Sequence, residues 1–129
     1  MGRLYGDGRT AATRKQDLGA VTMDWLVEDA LLPAAGLSVA RMILAPGAVS
    51  EGHRHPNCNE SIHLLSGRIE QWVDNEPLIM EPGDTVLIRQ GSTHRTRNLG
   101  REPAVMMICY SSGTRVYQAE PQDSDNSSV

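Results

Sequence analysis

Phenylalanine is missing from this chain, lysine occurs once, at position 15, and only two cysteines, Cys58 and Cys109, are present. Each shortage removes a class of protein. Without Phe the core must be aliphatic, filled by Val, Ile, Leu, Met and Ala. Two cysteines are too few for a disulfide-stapled secreted scaffold, and the first thirty residues show no charged start followed by a purely apolar run, so a reduced, cytoplasmic protein is expected. Long apolar runs are lacking as well. The longest apolar stretch without a charge, Ala30 to Ala40, is broken by Pro33 and Gly36 and falls short of the ~20 residues of a membrane helix; no membrane partner is expected. Excess positive charge is also absent: the twelve basic residues are scattered and the net charge is -4. Nothing resembles the footprint of a protein that grips a phosphate backbone, and nucleic acid is not an expected partner. With 129 residues the chain has the size of a single domain.

A sustained helical stripe is the last thing missing. Instead, twelve glycines and seven prolines punctuate short runs. TMDWLVE, from Thr22, puts Met23, Trp25 and Val27 on one face of a strand, and LSVARMILAPG, from Leu37, reads as a second strand closed by a Pro-Gly turn. Glu60 to Ser66, Arg68 to Val73, Leu78 to Met80, Thr85 to Ile88, Thr93 to Asn98 and Ala104 to Ser111 follow, separated by turn pairs such as Ser66-Gly67 and Pro82-Gly83. This rhythm predicts an all-β sandwich or barrel. Some strands, AVMMICY at Ala104 to Tyr110 above all, are apolar on both faces, as when one face lines a barrel and the other is covered by a second sheet or subunit. The first twenty residues read as a polar arm and the tail QAEPQDSDNSSV has no periodicity.

Within GHRHPNCNE, Gly52 to Glu60, two histidines one residue apart precede a carboxylate. Side chains at i and i+2 of a strand share a face, so His53 and His55 can converge on one ion while Arg54 points away. Glu60 adds a hard anionic oxygen. Imidazole plus carboxylate suits Fe(II), Mn(II), Ni(II), Co(II) or Zn(II) and leaves positions open for substrate or O₂. The pair alone is weak, because such pairs also occur on ordinary surfaces.

The wider frame is specific. Gly47, five residues, His53, one residue, His55, four residues, Glu60, six residues and Gly67 resembles the first motif of the cupin superfamily position by position. Gly83, five residues, Arg89-Gln90-Gly91, two residues, His94, three residues and Asn98 resembles the second. Arg89 departs from the family, which has Pro there; the expectation is a looser turn or a guanidinium at the rim of the site. The resemblance implies a small single-domain cupin, a jelly-roll or double-stranded β-helix barrel over 22–117, after an arm over 1–21 and before a tail over 118–129. It implies that His53, His55, Glu60 and His94 hold one divalent metal, Fe, Mn, Ni, Co or Zn.

Fold does not fix function, and the family includes dioxygenases, isomerases, decarboxylases, lyases and non-enzymatic binding domains. The expectation is an enzyme whose small substrate, a metabolite with adjacent oxygen donors, chelates the metal. Dioxygenase-like chemistry is favoured. A non-redox isomerase or lyase is the alternative, and a ligand-binding or sensing domain without turnover is a further one. A homodimer is expected.

Other residues have blander readings. His63, three residues after Glu60 on the same strand, faces the other way. Cys58 reads as a small loop filler and Cys109 as a buried small hydrophobe. Arg95 and Arg97 form a solvated or subunit-facing row opposite His94. Arg41, in an otherwise apolar strand, calls for an ion-pair partner or a substrate carboxylate. Met42, Trp72, Met106 and Tyr110 are candidates for pocket lining.

Overall fold

The computed structural model describes residues 13–121, and among these the regular structure is all β. Eleven strands follow in order: β1 (Arg14–Asp17), β2 (Val21–Val27), β3 (Ser38–Leu44), β4 (His53–Arg54), β5 (Glu60–Ser66), β6 (Ile69–Val73), β7 (Glu76–Met80), β8 (Thr85–Ile88), β9 (His94–Asn98), β10 (Ala104–Tyr110) and β11 (Gln118–Ala119). They build a six-stranded sheet, β1-β2-β3-β10-β5-β8, and a five-stranded sheet, β11-β4-β9-β6-β7. Every pairing is antiparallel. The alternating strands place one apolar row inward: Ala40, Met42 and Leu44 of β3, Ile62 and Leu64 of β5, and Met106 and Ile108 of β10 are buried. Ile69 of β6, Met80 of β7 and Ile88 of β8 close the core. It is aliphatic apart from Trp25 and Tyr110, as a chain without Phe requires.

The expected arm is not wholly an arm. Its residues 1–12 lie outside the described residues, but Arg14–Asp17 pairs along β2, Arg14 opposite Trp25 and Asp17 opposite Thr22. The segment RKQD has no apolar alternation to announce a strand; at a sheet edge its charges face solvent, where they blunt pairing with other chains. At the other end, 122–129 lies outside the described residues, while Gln118–Ala119 pairs with β4.

Three further placements correct the sequence reading. Val27 does not share the inward row of Met23 and Trp25, because the register shifts between Trp25 and Val27; Leu26 is exposed and Glu28 is turned inward instead. The buried acid is then held by Arg14, whose guanidinium meets its two oxygens at 2.7 and 3.1 Å. Cys109 is exposed rather than buried, since alternation along β10 gives the inward positions to Ile108 and Tyr110. Arg41 is exposed on the outer face of β3, level with Asp24 and Met107 on the neighbouring strands, so water solvates its charge and no internal partner is required.

Two features fix β9. The Asn98 side chain, buried, donates to the carbonyl oxygens of Leu44 at 3.1 Å and Glu102 at 2.8 Å and accepts from the Gly100 N–H at 2.8 Å, tying the five-stranded sheet to the end of β3. Gln71, also buried, donates to the Arg95 carbonyl at 3.0 Å and accepts from the Thr96 hydroxyl at 2.6 Å. Polar groups inside an apolar core persist only when bonded in this way. Between β5 and β6, Gly67 has φ 95°, and a Cβ there would meet the Ala104 backbone at 3.0 Å. Only glycine fits.

Candidate metal centre

His53, His55 and Glu60, from one short stretch of the chain, and His94, from a later strand, meet inside one end of the sandwich. His53 opens β4 and stands in register with His94, the first residue of β9. His55 follows β4 directly, and its ring centroid lies 5.0 Å from that of His53; the two histidines converge although β4 itself is only two residues long. Glu60 comes from the opposite sheet, at the start of β5. One donor atom from each of His53, His55, Glu60 and His94 lies within 4.8 Å of every other. His55, Glu60 and His94 are at most 4% exposed, while His53 is half-buried.

The main chain orients the rings. Nδ1 of His53 lies 2.7 Å from the Glu51 carbonyl, that of His55 2.8 Å from the Val116 carbonyl, and that of His94 3.2 Å from the Ser92 carbonyl. A carbonyl only accepts, so each Nδ1 carries a proton and each Nε2 is the ring atom left to face the shared point. His55 Nε2 lies 3.2 Å and His94 Nε2 2.9 Å from Glu60 Oε1. Those approaches lack hydrogen-bond alignment, and all three atoms are buried without a hydrogen-bond partner. Buried polar atoms are ordinarily satisfied. Three orphans aimed at one point, with an imidazole and carboxylate donor set, fit a divalent cation; the cluster is a possible metal site.

The charges agree with this fit. Burial pushes the Glu60 carboxyl up, but its contacts with His55 and His94 outweigh burial and hold it at about 2, so it is ionised at neutral pH. Burial, reinforced by the neighbouring His94, brings His53 down to about 4 and keeps it neutral. For His94 burial acts downward, yet the adjacent Glu60 carboxylate raises it above its usual 6.5.

The centre opens into a cavity of about 280 Å³. Met23, Met42, Ile62 and Ile108 give it an apolar wall, and His53, Tyr110, Arg115 and Tyr117 give it a polar one. Of the expected lining residues Met42 and Tyr110 are there. Met106 belongs wholly to the core, and Trp72 lies against the Arg95 guanidinium, 4.6 Å from ring centroid to cation, outside this cavity. His63 faces away from the centre and bonds the Thr85 hydroxyl at 2.7 Å. Cys58 is buried loop filler whose thiol is pushed up by burial and by Glu60. Arg89 is exposed and does not line the cavity. Its turn is not loose: the Ser92 N–H bonds the Arg89 carbonyl at 3.0 Å, and Gln90 is pinned to Asn59 and Pro56 at 2.8 Å each. Arg115 and Tyr117 escaped the sequence reading, because the segment after β10 has neither alternation nor motif; only the cluster of Arg and Tyr there could have drawn notice.

A small all-β sandwich with an internal nitrogen and oxygen donor cluster defines a recognisable class. The family model for the Cupin domain matches residues 40–110, more than half of the chain, and the chain belongs to that family. Germin-like protein 1 of Brassica napus is 30% identical over 100 residues, covering 74% of this chain and 48% of its own; the chain spans about half the length of the curated relatives it matches. Among solved structures, a mutant of Bacillus subtilis oxalate decarboxylase superposes with TM-score 0.74 at 19% identity, over 82% of this chain and 29% of that one. An oxalate oxidase superposes with TM-score 0.74 at 21% identity, over 89% and 62%. No helix among the described residues is long and apolar enough to cross a membrane.

Proposed function

We propose that the protein is a metal-dependent enzyme that binds a small metabolite with adjacent oxygen donors at one divalent ion held by His53, His55, Glu60 and His94. The observation that carries this reading is the convergence of three buried, unpartnered donor atoms of His55, Glu60 and His94, with His53 beside them, at the end of an accessible cavity. When bound, the ion supplies Lewis acidity and, if redox-active, a means of activating O₂. The chain's own part is to fix the donors, hold an ionised carboxylate beside the imidazoles, and present an apolar wall that limits the water around a small ligand.

Dioxygenase-like chemistry is favoured, and the likeness to an oxalate oxidase supports an oxygen-dependent reaction on a chelating acid. The non-redox alternative, a lyase or isomerase, draws support from the likeness to oxalate decarboxylase. A binding domain without turnover would need the same centre but no chemistry. A reduced, cytoplasmic setting belongs to the same proposal, supported by two free cysteines, one of them exposed.

Elemental analysis of gently purified protein tests the centre. One divalent metal per chain is expected, with a sharp loss in His53→Ala and His94→Ala and near wild-type content in His63→Ala; equal loss in all three would refute the assignment. Turnover of small oxo and hydroxy acids, oxalate included, then separates the readings. Oxygen-dependent turnover selects the oxidative one, anaerobic turnover the lyase or isomerase, and tight retention without turnover overturns the enzyme reading.

A further inference from the structure

Arg115 is the one cation lining the cavity among the described residues, and nothing in the described protein neutralises it. The segment that carries it is clamped to the ligand loop: the Asn57 side chain donates to the Thr114 carbonyl at 2.9 Å and accepts from the Val116 N–H at 2.8 Å, and the Val116 carbonyl receives His55 Nδ1. Its guanidinium lies over Trp25, Tyr110 and Tyr117 at 4.7, 5.3 and 5.4 Å from the ring centroids. Tyr110 in turn meets the His55 ring at 5.1 Å, and Tyr117 stacks on His53 at 4.5 Å. The cation is therefore one aromatic ring removed from two members of the donor cluster.

Its polar demand is unmet. Arg115 Nε is buried without a hydrogen-bond partner, and Arg115 makes no ion pair among the described residues. The acid in the adjoining cleft, Glu28, is already gripped by Arg14. Glu51, which shares the cavity wall, accepts the Tyr117 hydroxyl at 2.5 Å. Aromatic faces steady a guanidinium without using its N–H groups, and an unmet buried donor carries a desolvation cost that a carboxylate relieves by fork-like bonding.

We propose that Arg115 receives a second carboxylate of the ligand whose oxygen donors sit at the metal centre, so that the cavity selects small dicarboxylate-type acids over acids with a neutral tail. This rests on the reading of the cluster as a metal-binding ligand site. It adds the class of ligand and makes Arg115 a specificity-determining residue.

Two stable probes share one head group: malate carries a carboxylate tail, and 2-hydroxybutyrate a methyl in its place. Calorimetric binding to the full chain loaded with Mn(II) should favour malate at least tenfold. Arg115→Gln should erase that preference while keeping its metal content and thermal midpoint, and Arg115→Lys should restore part of it. A purely structural Arg115 would weaken both probes together and leave their ratio intact. Equal binding of the two acids by wild-type protein, or a preference surviving in Arg115→Gln, overturns the inference and leaves the metal reading standing. Malate binding that depends on Arg115 but is unchanged by removing the metal supports the carboxylate contact and refutes the metal-bound ligand site. Absence of binding by either acid overturns the inference.

Discussion

His53 and Glu60 make the stability of the metal-free protein depend on acidity in a definite direction. The folded state holds His53 at about 4, against 6.5 for the free side chain. As pH falls below 6.5 the unfolded chain takes up that proton first, so the stability present above 6.5 is lost progressively until about pH 4. Glu60, at about 2 against 4.5, adds a second loss between those values. His94 has the opposite sign: being raised, it contributes fully below 6.5, and its contribution fades as pH rises through its folded value. Thermal midpoints of chelator-treated protein are expected to drop on acidification from pH 6.5 to 4, and His53→Ala should flatten that part of the curve. A midpoint unchanged over this interval would contradict the burial argument. At this scale the four donors were legible because their spacing is a motif. Arg115 was not, since its role comes from three rings that only folding brings around it.

At the scale of the element, legibility followed alternation. β5 and β8 have the bounds their patterns announced, and β10 differs by one residue. The edge strands β1 and β11 are short and polar, and pairing rather than pattern creates them. The bulge in β2 is a case of its own: alternation runs correctly to Trp25, then one extra residue exchanges the faces, which no periodic reading of TMDWLVE contains. The turn glycines are the counterpart. Gly67 joins β5 to β6 in a left-handed conformation with the Ala104 backbone against it, so Gly67→Ala combines backbone strain with a steric clash. It is expected to destabilise the protein by about 1–3 kcal/mol, read from urea unfolding with an unchanged m-value. A change below a few tenths of a kcal/mol would show that the turn can relax.

For the whole molecule, the outer face of the six-stranded sheet matters most. Val39, Ile43, Val105 and Met107 are half-buried there and Leu65 and Leu87 exposed, so that among the described residues the two-faced strands of the sequence have an uncovered side. Strands about 4.8 Å apart and about 3.4 Å per residue make this face roughly 25 Å in each direction, on the order of 600 Å², which approaches the ~800 Å² each partner buries in a standard dimer. A second copy of the chain is the occupant proposed. Light scattering after size exclusion should give twice the 14.1 kDa chain mass at micromolar concentration, and Met107→Glu, facing outward, should halve it; a clean monomer would dismiss the pairing. The donor cluster also draws on both layers, since Glu60 belongs to one sheet while His53 and His94 belong to the other. Whatever those groups grasp together rivets the two halves of the sandwich, so that prising the layers apart and letting go of the guest become one event.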